Sequence, residues 1–242
     1  SRFIKKKKSI MAKILINDGI HPTGEKMLRD AGHNVSTTTI AQEDLTAQLP
    51  SYDAICVRSA TKVRTELIDV CPNLKAICRG GVGLDNIDVD HAKSKGIAVI
   101  NTPAASSRSV AELAFSHLFS IARSLYLSNR AMPSKGGTEF KALKKSYSKG
   151  FELYGRTLGV IGFGRIGQYT AKYALGCGMN VIASDPFVEN ASVSVEVGNQ
   201  SIDVNVNMVS KDDLLAKADY ISLHVPMPKE GAVIAKAEFD KM

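Results

Sequence analysis

No segment of this chain is apolar for long enough to cross a membrane. Its most apolar helical stretch, residues 110–127, is broken by Glu112, His117 and Arg123, whereas a span needs about 20 nearly uninterrupted apolar residues. A membrane partner is therefore not expected. The four cysteines, Cys56, Cys71, Cys78 and Cys177, form no C-x-x-C pair. Cys56 and Cys78 fall in apolar strand-like runs, so they read as reduced core thiols of a cytoplasmic protein, with neither chemistry nor a metal assigned to them. Charge of one sign is scarce once its source is located. The formal net charge is +7, but Lys5 to Lys8 supply four of those charges ahead of Met11, and the small remainder argues against a nucleic-acid partner. Residues 1–11 read as a disordered leader or tag remnant, lacking the apolar core of a secretory signal. Nor does any histidine look like a base. His21 and His33 fall in expected loops and His91 and His117 on helices, none with a carboxylate at a spacing that would orient it. What remains is ordinary for a globular chain: 242 residues, 44% hydrophobic and 23% charged, enough for two modest domains.

Within that ordinary background, Thr157-Leu-Gly-Val-Ile-Gly162-Phe-Gly164-Arg165-Ile166-Gly167 has a specific layout. Leu158, Val160 and Ile161 read as a buried parallel strand and residues 166–175 as a helix, so the glycines occupy the turn between them. Gly162 suits the tight turn, Gly164 lets the backbone approach phosphates, and Gly167 lets the helix lie close to the strand. The helix N-terminus then offers unpaired N–H groups to an anion. A second strand, residues 180–184, ends at Asp185, 18 residues beyond Gly167. This is close to the spacing at which an acid meets the adenosine ribose. Pro186 and Phe187 follow, with no nearby Arg or Lys for a 2′-phosphate, so NAD is expected over NADP. A lone glycine turn would be an ordinary loop; strand, helix and acid in register favour the dinucleotide reading.

Elsewhere, short apolar runs at 14–16, 54–57, 74–78 and 97–100 alternate with helical stretches at 23–30, 65–70 and 88–95. Such alternation predicts a parallel sheet covered by helices. Ser109 to Glu112 is a capping box opening a long helix to about residue 128, expected to bridge two domains. Residues 131–152 lack periodicity and read as a surface connection. Alternating valines and isoleucines on either side of Gly198-Asn199 predict a hairpin, whose apolar face is expected to pack on a neighbouring domain or subunit. Residues 211–218 read as a helix and 220–225 as another strand.

Six motifs together resemble the D-isomer-specific 2-hydroxyacid dehydrogenases, and within them the 3-phosphoglycerate dehydrogenase branch. They are Val57-Arg58-Ser-Ala-Thr-Lys-Val63, Arg79-Gly-Gly-Val-Gly83-Leu-Asp-Asn-Ile-Asp88, Asn101-Thr-Pro103, Ser109-Val-Ala-Glu-Leu113, the Gly162 fingerprint and Ala218-Asp-Tyr-Ile-Ser-Leu-His-Val-Pro226. The resemblance implies an α/β protein of two doubly wound parallel-sheet domains. A flavodoxin-like substrate domain would occupy residues 12–105, and a Rossmann NAD-binding domain, incomplete at its C-terminus, residues 106–242. It implies NAD as cofactor and a small phosphorylated 2-hydroxy acid as substrate, lying between the domains. Arg58 with Ser59, and Arg79, would hold the phosphate, with Lys62 assisting. Gly81, Val82 and Gly83 would present backbone amides to the carboxylate, and Asn101 would contact substrate. Val82, Arg165 and Ile166 would flank the cofactor, Pro186 would follow the ribose acid, and His224, Val225 and Pro226 would line its groove, His224 without acting as base. Relatives assemble as homodimers or larger homo-oligomers.

The resemblance places no catalytic side chain in this chain. Its catalytic Arg, Glu and His would lie beyond Met242, so a fragment or an incomplete gene reading is expected. Three alternatives stand beside phosphoglycerate oxidation: a glyoxylate or hydroxypyruvate enzyme, a lactate or erythronate-phosphate enzyme, and a non-catalytic NAD-sensing protein of the corepressor type.

Overall fold

The computed structural model describes residues 11–228 and 231–242. The lysine run and nearly all of the expected leader lie outside the described residues. The chain divides into two compact units between Ser106 and Ser107.

The first unit runs β1 (Lys13–Ile16), α1 (Pro22–Asp30), β2 (Asn34–Ser36), α2 (Leu45–Gln48), β3 (Ala54–Val57), α3 (Thr65–Asp69), β4 (Ala76–Arg79), α4 (Val89–Ser94) and β5 (Ala98–Asn101). Its strands form one parallel sheet in the order β2-β1-β3-β4-β5, the flavodoxin-like order. The register aligns Leu15, Ile55 and Ile77 across three strands. All three are completely buried, packing with Leu45, Leu49, Leu67 and Ile68 from the helices. Side chains alternate faces along a strand, so Cys56 and Cys78, aligned with each other, point to the opposite face. There they are half-buried, as is Cys177, and Cys71 alone of the four is buried. The expectation of core thiols is corrected accordingly: the apolar runs around Cys56 and Cys78 are strands with one packed face. β2 and α2 are too short to leave a periodic pattern in the sequence.

The second unit opens with α5 (Ser107–Ala122) and α6 (Leu125–Tyr147). The single helix expected to residue 128 breaks at Ser124, whose φ of 53° is left-handed. The stretch expected to be irregular is instead largely helical, with Pro133 inside it and Glu139 out of helical geometry. None of the residues of α6 is buried, which explains the missing periodicity: a helix solvated all round has no apolar stripe to display. There follow β6 (Thr157–Ile161), α7 (Arg165–Gly176), β7 (Asn180–Ser184), β8 (Ala191–Val197), β9 (Gln200–Met208), α8 (Lys211–Lys217), β10 (Tyr220–Leu223) and α9 (Lys236–Phe239). The sheet order is β10-β6-β7-β9-β8, parallel except for the β8–β9 hairpin.

The hairpin turns at Gly198-Asn199, with Gly198 at φ +63°, and β9 continues the parallel sheet beside β7. Its apolar face is covered within its own unit. Val193 and Val206 join the core built by Phe115, Leu118, Phe163 and Ala171, so no separate domain or subunit is needed to bury them. Val197 and Ile202, nearer the tip, remain exposed. No helix among the described residues is long and apolar enough to cross a membrane.

Candidate functional site

In the second unit, β6 delivers the chain into the glycine turn and α7 leaves it. Gly162 has φ +90°, and a Cβ there would lie 2.6 Å from both the His224 carbonyl oxygen and Val225 Cγ1. A Cβ on Gly167 would strike the Gly162 carbonyl oxygen and approach Val160 Cγ1 at 3.1 Å, so the helix lies against the strand as closely as a missing side chain permits. Gly164 differs: a Cβ there would meet nothing within 4 Å. It caps α7 without any side-chain hydrogen bond to the first turn. Open space in front of uncapped N–H groups at a positive dipole end is a seat for an anion.

Asp185, just past β7, faces this turn. Its Oδ2 accepts from the Phe163 amide at 2.7 Å and its Oδ1 from the Phe187 amide at 2.9 Å. The carboxylate thus braces the glycine loop, and each oxygen keeps lone-pair capacity for a ribose hydroxyl. Pro186 and Phe187 beside it are exposed, as is Arg165, while Ile166 is half-buried. His224 sits off the end of β10, where its Nε2 meets Thr170 Oγ1 at 3.0 Å and Ser222 Oγ at 2.9 Å. Burial pushes its pKa down, which keeps the ring neutral. It ties β10 to α7 and leaves Val225 to meet Gly162; Pro226 is exposed.

In the first unit, the C-terminal ends of β3, β4 and β5 bring Arg58, Arg79 and Asn101 to one sheet edge, where open α/β sheets bind ligands. The two arginines part company there. Arg79 is turned inward, with only 12% of its side chain exposed. Its Nε donates to the Arg58 carbonyl at 3.3 Å and its guanidinium to the Gly83 carbonyl. A Cβ on Gly81 would lie 2.9 Å from the Arg79 guanidinium, so the loop wraps the arginine because glycine leaves room for it. Arg58, with Ser59 beside it, is exposed, and its guanidinium has no ion-pair partner among the described residues.

The loop between Gly81 and Gly83 is pinned from β5. Asn101 Nδ2 donates to the Val82 carbonyl at 2.7 Å. The Gly81 amide donates to Thr102 Oγ1 at 2.9 Å and is therefore already used. The amides of Val82 and Gly83 have no acceptor among the described residues, and they are the two left to receive an anionic oxygen.

Sequence reasoning passed over the residues that shape this edge from below. Asp18 accepts from the Arg58 amide at 2.6 Å, the Thr61 amide at 3.1 Å and the Thr61 hydroxyl at 2.5 Å. Partial burial alone would raise its pKa, but these hydrogen bonds hold the carboxyl below its usual range. Asn86 is 4% exposed and donates to the carbonyls of Arg58 and Thr61 at 2.8 and 2.7 Å. Position alone offered a signal, since Asp18 follows β1 at the same sheet edge and Asn86 stands in a loop between a strand and a helix.

Comparison with known proteins follows the same lines. Residues 14–222 match the D-isomer specific 2-hydroxyacid dehydrogenase catalytic domain. A D-3-phosphoglycerate dehydrogenase of Methanocaldococcus jannaschii is 40% identical over 96% of this chain and 42% of its own length. A hydroxypyruvate reductase of Thermotoga maritima is 40% identical over 93% of this chain and 69% of its own. The crystal structure of an NAD+-bound 3-phosphoglycerate dehydrogenase from Entamoeba histolytica superposes with a TM-score of 0.72 at 28% identity, covering 96% of this chain and 69% of that one. The chain thus spans less than half the length of its Methanocaldococcus relative. By motif order, fold and sequence identity, this chain belongs to the D-isomer-specific 2-hydroxyacid dehydrogenases.

Proposed function

We propose that the second unit binds NAD and that the sheet edge of the first binds a small phosphorylated 2-hydroxy acid, as parts of an NAD-dependent dehydrogenase acting on 3-phosphoglycerate. The observation that carries this reading is the open, uncapped turn at Gly164 facing Asp185. In it, the amides at the start of α7 hold the pyrophosphate and Asp185 holds the ribose hydroxyls, with Arg165 and Ile166 flanking. NAD, when bound, accepts the hydride from C2 of the substrate. The Val82 and Gly83 amides hold the substrate carboxylate, and Arg58 presents its planar fork to the phosphate. Arg79 and Asn101 keep that loop in shape. The acid–base side chains are those expected beyond Met242. The enzyme works in the cytoplasm as a homodimer or larger homo-oligomer.

The equally similar hydroxypyruvate reductase supports a second reading, with an unphosphorylated substrate. The exposed Arg58 supports the phosphorylated one. Titrating NADH into the 242-residue protein tests the cofactor half directly. Saturable binding is expected, weakened about tenfold or more in Asp185→Ala, the scale of a lost charged hydrogen bond, with negligible turnover of 3-phosphoglycerate. Absence of NADH uptake by the folded protein would sink the cofactor reading, and robust turnover would refute the placement of the catalytic groups.

A further inference from the structure

Cys56 and Cys78 stand directly opposite each other on neighbouring strands. The parallel register of β3 and β4 pairs them at Cα, and residues paired in this way send their side chains out of the same face of the sheet. Adjacent strands lie about 4.8 Å apart, inside the window of about 4.4–6.8 Å between Cα atoms that a disulfide spans. The other two cysteines are placed differently. Cys71 is buried in the apolar core of the first unit, and Cys177 belongs to the second unit.

The face that carries the pair is open to small molecules. By strand alternation it also carries Ala54, Ala76 and Ala98 on β3, β4 and β5, with Ile100 opposite Cys78. Three methyl groups make a low wall. At its β5 end Ala98 is exposed, and Ile100 keeps 54% of its surface in solvent. Both thiols are half-buried rather than sealed.

The two thiols are also unequal. Cys78 accepts a hydrogen bond from the Cys56 thiol, which holds its pKa below the ordinary thiol value, whereas Cys56, as donor and partly desolvated, is pushed up. Burial raises Cys71 and Cys177 as well. Since the thiolate is the nucleophile, one member of the pair is primed to attack while the other keeps its proton.

We propose that Cys56 and Cys78 are a redox modification site, with Cys78 the attacking sulfur and Cys56 the resolving one, oxidised by a hydroperoxide to a reversible disulfide. In the first step the Cys78 thiolate attacks a peroxide oxygen and the O–O bond breaks. Cys78 becomes a sulfenic acid, and the other peroxide oxygen takes up the thiol proton and leaves as alcohol, or as water from hydrogen peroxide. In the second step the Cys56 sulfur attacks that of Cys78 and the S–O bond breaks. The hydroxyl leaves as water with the Cys56 proton. Two thiols have then lost two electrons and the peroxide has gained them. The pair lies wholly in the first unit and does not depend on the cofactor reading.

Hydrogen peroxide is the probe. The reduced 242-residue protein is treated briefly, its remaining thiols are blocked with N-ethylmaleimide in denaturant, and its peptides are mapped by mass spectrometry. One new bond is expected, between Cys56 and Cys78, with Cys71 and Cys177 still blocked as thiols, and dithiothreitol is expected to restore all four thiols. In Cys56→Ser the resolving sulfur is gone, so Cys78 is expected to accumulate as a sulfenic acid captured by dimedone. In Cys78→Ser, capture at Cys56 is expected to be at least tenfold slower. Circular dichroism checks that both variants fold, and the parent map decides by itself if either does not. A parent protein that forms no Cys56–Cys78 bond, or that bonds either sulfur to Cys71 or Cys177 instead, would overturn the pair, and equal capture in the two variants would overturn the roles assigned to its members.

Discussion

Arg58 and Arg79 show how far a residue type can be read without its neighbours. Both stand at the C-terminal ends of apolar strands and both resemble phosphate-binding positions. Folding separates them: Arg79 spends its donors on the carbonyls of Arg58 and Gly83, while Arg58 keeps its guanidinium exposed. The two therefore differ under substitution. Arg58→Ala is expected to leave thermal stability nearly unchanged and to weaken 3-phosphoglycerate binding ten- to a hundredfold, about the range of one or two charge-assisted hydrogen bonds. Arg79→Ala leaves the Gly83 carbonyl without its donor and the loop without the side chain it wraps, and is expected to lower the melting temperature as well. Calorimetric titration beside thermal unfolding of both variants separates the roles; equal melting losses would contradict the assignment. Asp18 and Asn86 were missed for the same reason, since the groups they hold are 40 and 28 residues away in the chain, around Arg58.

Among the elements, the β6–α7 turn was the most legible, because strand, glycines, helix and acid form one continuous local pattern. Its three glycines nonetheless do different work. Gly167→Ala forces a side chain into the Gly162 carbonyl and is expected to cost stability on the scale of core overpacking, about 1–3 kcal/mol. Gly164→Ala meets empty space, so the protein should fold as before while NADH affinity falls, because the methyl group occupies the approach of the phosphates. A Gly164→Ala protein with parental affinity would show that the pyrophosphate lies elsewhere. The hairpin was equally visible, since strict alternation about Gly-Asn leaves little else. Its burial against α7 and the Phe115 core was not. α6 was the opposite case: a helix without a packed face gives no periodic signal, and Ser124 breaks it from α5 where no proline or glycine marks the stop.

At the scale of the whole molecule, the ionisable groups that brace its loops set its response to acid. Asp88 is held below the usual carboxylate range by Arg64, then by the amide and hydroxyl of Thr65. Asp219 is held there by the Thr157 amide and, more weakly, by Arg156, and Asp18 lies low as well. Groups with depressed native pKa values stabilise the fold above their unfolded pKa and lose that contribution as pH falls through the native one. His224, depressed by burial, follows the same sign at higher pH. The melting temperature is expected to fall first below about pH 6.5 and again, more steeply, below about pH 4. In His224→Gln the first decline should vanish and the second persist, as thermal scans across that range would show. The sequence by itself determined the alternation of strands and helices, the parallel-sheet architecture, the glycine turn between β6 and α7 and the family, because each is written in residues adjacent or periodic along the chain. Which arginine is exposed and which loop amides remain unpaired among the described residues were decided only by the tertiary structure. Those properties depend on groups brought together across tens of residues, each by competing for the same donors, acceptors and space.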